Sequence, residues 1–202
     1  MRSLLLIYCL CTWFCINCFA SNEVIQQKRL DSLWSVWKNS KKSDTDRLNA
    51  IDKFTCEGYL YTNPDSAFYY AIQMYTYTLQ KNNIEYQATV LNTMGLCHMI
   101  RSNYDSALYY YKKALAIDIK INDQPGISSI YNNIANIEYE KCEYKIALEY
   151  MYKSLKINEQ LKDNERISAN LTNIGNVYYE LGDIKTAQTY YFKAYSIAKK
   201  EK

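Results

Sequence analysis

The chain has 202 residues, of which 49% are hydrophobic and 22% charged, with only five Gly and two Pro. That length fits one or two domains with a substantial core, the composition excludes a disordered chain, and so few turn-formers disfavour an all-β fold. A formal charge of +3 calls for neither a nucleic-acid nor an anionic-membrane partner, and none is expected.

The opening twenty residues, MRSLLLIYCLCTWFCINCFA, stand apart. Arg2 is followed by eighteen residues without a charge, ending in Cys18-Phe19-Ala20 before polar Ser21. This pattern predicts a signal peptide over 1–20 and a periplasmic or secreted protein. The alternative is an uncleaved membrane anchor over residues 3–20, because such a stretch approaches the ~20 residues that cross a bilayer. Only then is a membrane a partner. Tyr8, Leu10, Phe14 and Asn17 precede Cys9, Cys11, Cys15 and Cys18, which argues against lipidation. Beyond residue 20 only Cys56, Cys97 and Cys142 remain. An odd number at unrelated spacings is neither a disulfide framework nor a metal pattern, and three half-buried thiols are expected.

Residues 21–47 form the next section. Val24, Leu30, Leu33, Trp34 and Trp37 make an apolar stripe that predicts a helix packed over the exposed end of the region beginning at residue 48. A surface-binding amphipathic helix is the alternative. The stretch SKKSDTD reads as a polar hinge.

From residue 48 the sequence repeats. NIANIEYEKCEYKIALEYMYKSLKI, at 133–157, returns as NIGNVYYELGDIKTAQTYYFKAYSI at 173–197, a shift of 40. The same shift carries Ala187 to Ala147, Ala107 and Ala67 without a gap. It divides the region into four units, 48–87, 88–127, 128–167 and 168–202. Within the third, Ile130, Ile134 and Ile137 recur at helical spacing, Cys142-Glu143 makes a break, and Tyr144, Ala147, Leu148, Met151 and Leu155 mark a second helix. Asp163-Asn164 and Asp123-Gln124-Pro125-Gly126 supply capping and turn chemistry between units.

Small residues sit where paired helices would cross. Gly95, Ala135 and Gly175 fall on first helices, Ala107, Ala147 and Ala187 on second helices, and Ala114, Ser154 and Ala194 where the next unit would dock. This spacing resembles the tetratricopeptide repeat over 48–202. The fourth unit matches best, through Leu171, Ile174, Gly175, Tyr178, Ala187, Tyr191 and Ala194; the first departs most, with Thr55 and Met74 at small-residue positions. The usual period is ~34 residues, so longer helices are expected here. HEAT and armadillo arrays have similar periods but lack this pattern of small residues. The resemblance implies an all-α solenoid of antiparallel helix pairs, about four 40-residue repeats with an N-terminal packing helix. A leader, a Trp-containing helix and such units together are similar to the exported sensory region of bacterial signalling proteins. That second likeness implies an alternative role as a sensory module, or a truncated remnant of one, coupled to a histidine kinase, cyclase or DNA-binding output.

Catalytic signatures are lacking. His98 is the sole histidine and is expected in the core; the scattered Gly make no phosphate loop, and Glu138 and Glu140 point to different sides of one helix. No enzymatic activity, metal or cofactor is expected. Binding has better support. The first helices of such an array line a concave groove, whose candidate residues are Asn92, Asn132, Asn133, Asn136, Tyr139, Asn173, Asn176 and Tyr179. Asparagine offers a donor and an acceptor to an extended peptide, and tyrosine offers flat contact area with a polar tip. The competing reading makes these asparagines hydrogen bonders between helices. Relatives that clamp a C-terminal carboxylate combine Asn with Lys or Arg, whereas Thr89, Ser129 and Ala169 occupy the helix starts here. A neutral or mildly basic protein or peptide segment therefore suits Glu140 and Glu180. The runs of tyrosine on second helices read as core filling. The last unit ends in YFKAYSIAKKEK with no following helix, which leaves association through that repeat open.

Overall fold

A computed structural model describes residues 24–199. Helix α1 covers 24–38, followed by α2 (Asp44–Gly58), α3 (Pro64–Gln80), α4 (Ile84–Ile100), α5 (Tyr104–Ile121), α6 (Gln124–Glu140), α7 (Tyr144–Leu161), α8 (Asn164–Glu180) and α9 (Ile184–Lys199). No strand occurs among the described residues. From α2 onward the helices start at 44, 64, 84, 104, 124, 144, 164 and 184. The 40-residue unit is thus two equal halves, and each unit's first helix begins one turn ahead of 48, 88, 128 or 168. The proposed leader, residues 1–20, lies outside the described residues, as do Lys200 and Lys202. No described helix is long and apolar enough to cross a membrane.

The even rhythm comes from local chemistry. Asn82, Ser102, Asn122, Cys142, Lys162 and Gly182 all adopt positive φ, so each turn from α3 onward reverses the chain through one left-handed residue. Just after it, Asn83, Asp123, Asp163 and Asp183 accept from backbone N–H groups three residues on, at 3.0–3.2 Å. Those acceptors satisfy donors that the helix itself leaves free. The expected hinge is shorter than SKKSDTD, because the Ser43 hydroxyl accepts from Asp46 N at 3.0 Å and starts α2 at Asp44.

Helices pair as antiparallel hairpins, α2–α3, α4–α5, α6–α7 and α8–α9, and each hairpin stacks on the next. The crossings show why the small positions vary. A Cβ built on Gly95 would enter the ring of Tyr111, and one on Gly175 would lie 2.7 Å from that of Tyr191. In the third repeat the same two positions hold Ala135 and Met151, which share a core cluster. In the first they hold Thr55 and Ala71, 1% and 0% exposed. A smaller ceiling goes with a larger floor, so Thr55 departs from the small-residue pattern without overfilling its crossing.

Helix α1 packs over the first hairpin. Leu30 and Trp37 are buried, Trp34 meets the rings of Phe54 and Tyr70 at 5.1 and 5.7 Å, and Trp37 meets Tyr77 at 5.1 Å. Val24 departs from the expected stripe and is 54% exposed. The cysteines do not form a uniform half-buried set either. Cys97 is buried and Cys56 intermediate, while Cys142 is exposed at its left-handed turn. Burial pushes the thiols of Cys56 and Cys97 up to about 12 and about 11, which makes them packing groups rather than nucleophiles. His98 stacks on Tyr110 at 5.4 Å with Phe68 edge-on at 4.9 Å. Burial and then Arg101 push its pKa down, so it is neutral at pH 7.

Candidate functional site

The eight candidate groove residues divide into two groups. The first group joins neighbouring first helices. Asn133 Nδ2 donates to Asn92 Oδ1 at 2.9 Å, tying α6 to α4. Asn173 Nδ2 donates to Asn132 Oδ1 at 3.2 Å, tying α8 to α6. Both pairs are 41 residues apart, the register in which successive first helices lie side by side. These four amides are partly engaged in holding the array together.

The second group faces open space. Asn136, Tyr139, Glu140, Asn173 and Asn176 line a cavity of about 160 Å³ between α6 and α8. Asn176 Oδ1 accepts from the Tyr191 hydroxyl at 2.8 Å, leaving its N–H₂ for other partners. Asn136 makes no side-chain hydrogen bond among the described residues. Burial, then the carboxylates of Glu180 and Glu140, push the Tyr139 phenol up, so it stays a neutral donor. Tyr179 is 57% exposed, one turn further along α8.

Two other cavities lie toward the starts of the first helices. One, of about 160 Å³, is lined by Ser128, Ser154, Asn158, Arg166 and Asn170. Its floor is a closed circuit of polar groups. Ser128 Oγ donates to Asn158 Oδ1 (2.6 Å), Asn158 Nδ2 to Asn170 Oδ1 (2.6 Å), and Asn170 Nδ2 to Ser154 Oγ (3.1 Å). Ser154 Oγ donates in turn to the Ser128 carbonyl at 2.9 Å. All four residues are 1–2% exposed. Repeat spacing marks Ser154 only as a small spacer and gives Asn158 and Asn170 no role. The available signal is Asn170 itself, a polar residue where the shift of 40 gives Ile130, Val90 and Ala50.

The other cavity, of about 280 Å³, includes Thr89, Asn92, Asp118, Asp123, Ser129 and Arg166 in its walls. Arg166 borders both cavities; its guanidinium donates to the Pro125 carbonyl at 3.1 Å and pairs with Asp163 at 3.3 Å. Thr89, Ser129 and Ala169, expected at the helix starts, lie five residues inside α4, α6 and α8, and the first turn of α8 does carry a base, Arg166. That residue, three positions before Ala169, brings its charge to this rim, a contribution that spacing does not reveal. Asp118 is 3% exposed. Burial, then the charge of Asp123, push its carboxyl up to about 7.

A sequence model of the tetratricopeptide repeat matches residues 86–160 and again 126–200. The chain belongs to the tetratricopeptide repeat family. The family is generally a non-catalytic repeat scaffold, and no enzymatic family is indicated. Solved structures of similar fold include BtubC from P. vanneervenii, with a TM-score of 0.67 and 18% identity over 91% of this chain and 74% of that one. The Rap conjugation regulator of plasmid pLS20, in complex with the Phr* peptide, gives 0.74 and 15% identity over 89% of this chain and 51% of that one. A Rap protein complexed with competence and sporulation factor gives 0.71 and 15%, over 78% and 44%. The tetratricopeptide chain thus spans about half the length of the Rap proteins it resembles. No curated protein matches it.

Proposed function

We propose that this tetratricopeptide array is a non-enzymatic scaffold that holds an extended peptide or protein segment in its concave groove, outside the cytoplasm. The observation that carries this reading is the convergence of Asn136, Asn176 and Tyr139 on one cavity between α6 and α8, with amide groups not engaged in the ladder between helices. Their donors and acceptors match those of a peptide backbone, and Glu140 beside them favours a neutral or mildly basic segment. Rap proteins of similar fold are seen in complex with the Phr* peptide and with competence and sporulation factor. Location outside the cytoplasm rests on the sequence of residues 1–20.

Panning a random heptapeptide display library on the full chain tests the groove. Selected peptides should bind the Asn136→Ala/Asn176→Ala variant at least tenfold more weakly. Equal affinity for both proteins would remove these residues from the account. N-terminal sequencing of the protein from cell fractions checks the location; a mature cytoplasmic chain beginning at Met1 would refute export.

A second reading is a sensory or regulatory module that passes binding on to a partner. Phe192 and Tyr195 favour it, since they stand 73% and 61% exposed on α9. Hydrogen exchange measured with and without a groove-bound peptide separates the two readings. Altered protection at α9 supports a relay, and protection changes confined to α6 and α8 support a plain scaffold.

A further inference from the structure

The same position in successive repeats carries Asn158 and Asp118. Asn158 reaches Ser128 and Asn170, with Ser154 beside it, and its polar groups are satisfied. For Asp118 the equivalent residues are Ala88, Ile130 and Ala114, none of which offers a side-chain hydrogen bond. Its carboxylate has no hydrogen-bond partner among the described residues, yet the residue is 97% buried and lines the 280 Å³ cavity. Its oxygens are not sealed off from solvent but open on the cavity without a protein partner, where burial disfavours the charged form. Gly126 keeps the space beside it open. A Cβ there would lie 2.5 Å from Asp118 Oδ2 and 2.7 Å from Asp123 Oδ2, so both carboxylates converge on one point. Asp123 has one oxygen on Gly126 N, at 3.2 Å.

We propose that this cavity seats the cationic end of a lysine or arginine side chain carried by the peptide in the groove, with Asp118 and Asp123 as its counter-charges. The inference rests on the proposed peptide groove and specifies what that groove selects. Asn92 belongs to the cavity wall and, through Asn133, to the ladder of first helices, so a peptide along that ladder passes the opening. Arg166 is not the missing cation, because its guanidinium is held by Asp163 and the Pro125 carbonyl. A metal ion is a poorer fit. No group of three or more metal-binding side chains exists among the described residues, and hard cations take six or more oxygen ligands. An ammonium or guanidinium needs only the two carboxylates and the Ser129 and Thr89 hydroxyls around it.

The heptapeptides selected on the full chain supply the probes. The enriched set should share Lys or Arg at one fixed position. Replacing that residue by norleucine should weaken binding, read by fluorescence anisotropy, on the order of tenfold or more. Asp118→Asn should abolish the difference while binding the norleucine peptide as the wild type does. Asp123→Asn, which keeps a capping side chain, should reduce it partway. Circular dichroism melts confirm that both variants fold. Binding of the basic peptide alone should tighten from pH 5.5 to 8 as Asp118 loses its proton. The other charged groups at this cavity are Asp123 from the α5–α6 turn and Arg166 from α8, itself paired with Asp163; α4 presents the neutral Thr89 and Asn92. Peptides that depend on Asn136 and Asn176 but show no basic preference would overturn this inference and leave the groove reading intact. So would a basic preference that survives Asp118→Asn. A library that yields no binder removes both.

Discussion

The second and third repeats share a backbone plan and solve two packing problems differently. At the α4–α5 crossing a glycine lies under a tyrosine ring, Gly95 under Tyr111; at α6–α7 an alanine meets a methionine, Ala135 and Met151. Where each second helix meets the following repeat, Asn158 closes a four-residue polar circuit, while Asp118 faces a cavity with apolar residues at the matching positions. The crossing differences cancel, because volume is exchanged between two partners. The difference at the repeat junction does not cancel, because a carboxyl group has replaced an amide and its partners have been replaced by alanine and isoleucine. On the reading proposed above, that unanswered carboxyl is where the cation of a bound peptide sits.

The largest way to break this comparison is through pH. Asp118 is held near 7 in the fold against 3.8 for an ordinary aspartate. The folded protein therefore binds more protons than the unfolded one between about pH 4 and 7, and the stability of the free protein falls as pH rises through that window. Urea unfolding of wild type and Asp118→Asn should diverge across it, the wild type losing on the order of 2–4 kcal/mol relative to the variant by pH 8. Parallel curves would show that Asp118 is ionised without penalty.

Next in size is the satisfied junction. Asn158→Ala leaves Ser128 and Asn170 without their partner in a buried site, and should cost about 2–3 kcal/mol in chemical denaturation. A loss under about 0.5 kcal/mol would mean that the circuit is not tight and that Asn158 and Asp118 differ less than their hydrogen bonding implies.

The smallest expected net effect sharpens the crossing. Gly95→Ala alone drives a methyl into the Tyr111 ring and should destabilise by about 1–3 kcal/mol. Combined with Tyr111→Met, the pairing used in the third repeat, the net loss measured by urea unfolding should shrink to about 1 kcal/mol or less. A double variant no better than Gly95→Ala would show that the two repeats differ in backbone spacing rather than in side-chain fit.

How much was legible in the sequence depends on how far apart the deciding atoms lie. Ala107, Ala147 and Ala187, the Asp163 cap and the shift of 40 gave the helix pairs and their stacking, because helix pitch, capping and small crossings act over a few residues or repeat at fixed intervals. The candidate groove was only partly legible. Asn136, Tyr139 and Asn176 meet at one cavity as their spacing suggests, but Asn132, Asn133, Asn92 and Asn173 bond to one another across helices. Nothing in a single helix distinguishes an amide facing a groove from one facing its neighbour.

The sequence by itself therefore determined the repeat, its helical hairpins and its membership of the tetratricopeptide family. Only the tertiary structure decided which polar groups are answered. Asp118 and Asn158 occupy equivalent places, and their different fates depend on residues 88, 114 and 130 or 128, 154 and 170, brought together from three helices. Hydrogen bonds are lost within fractions of an ångström of misplacement, so their presence or absence is settled by packing.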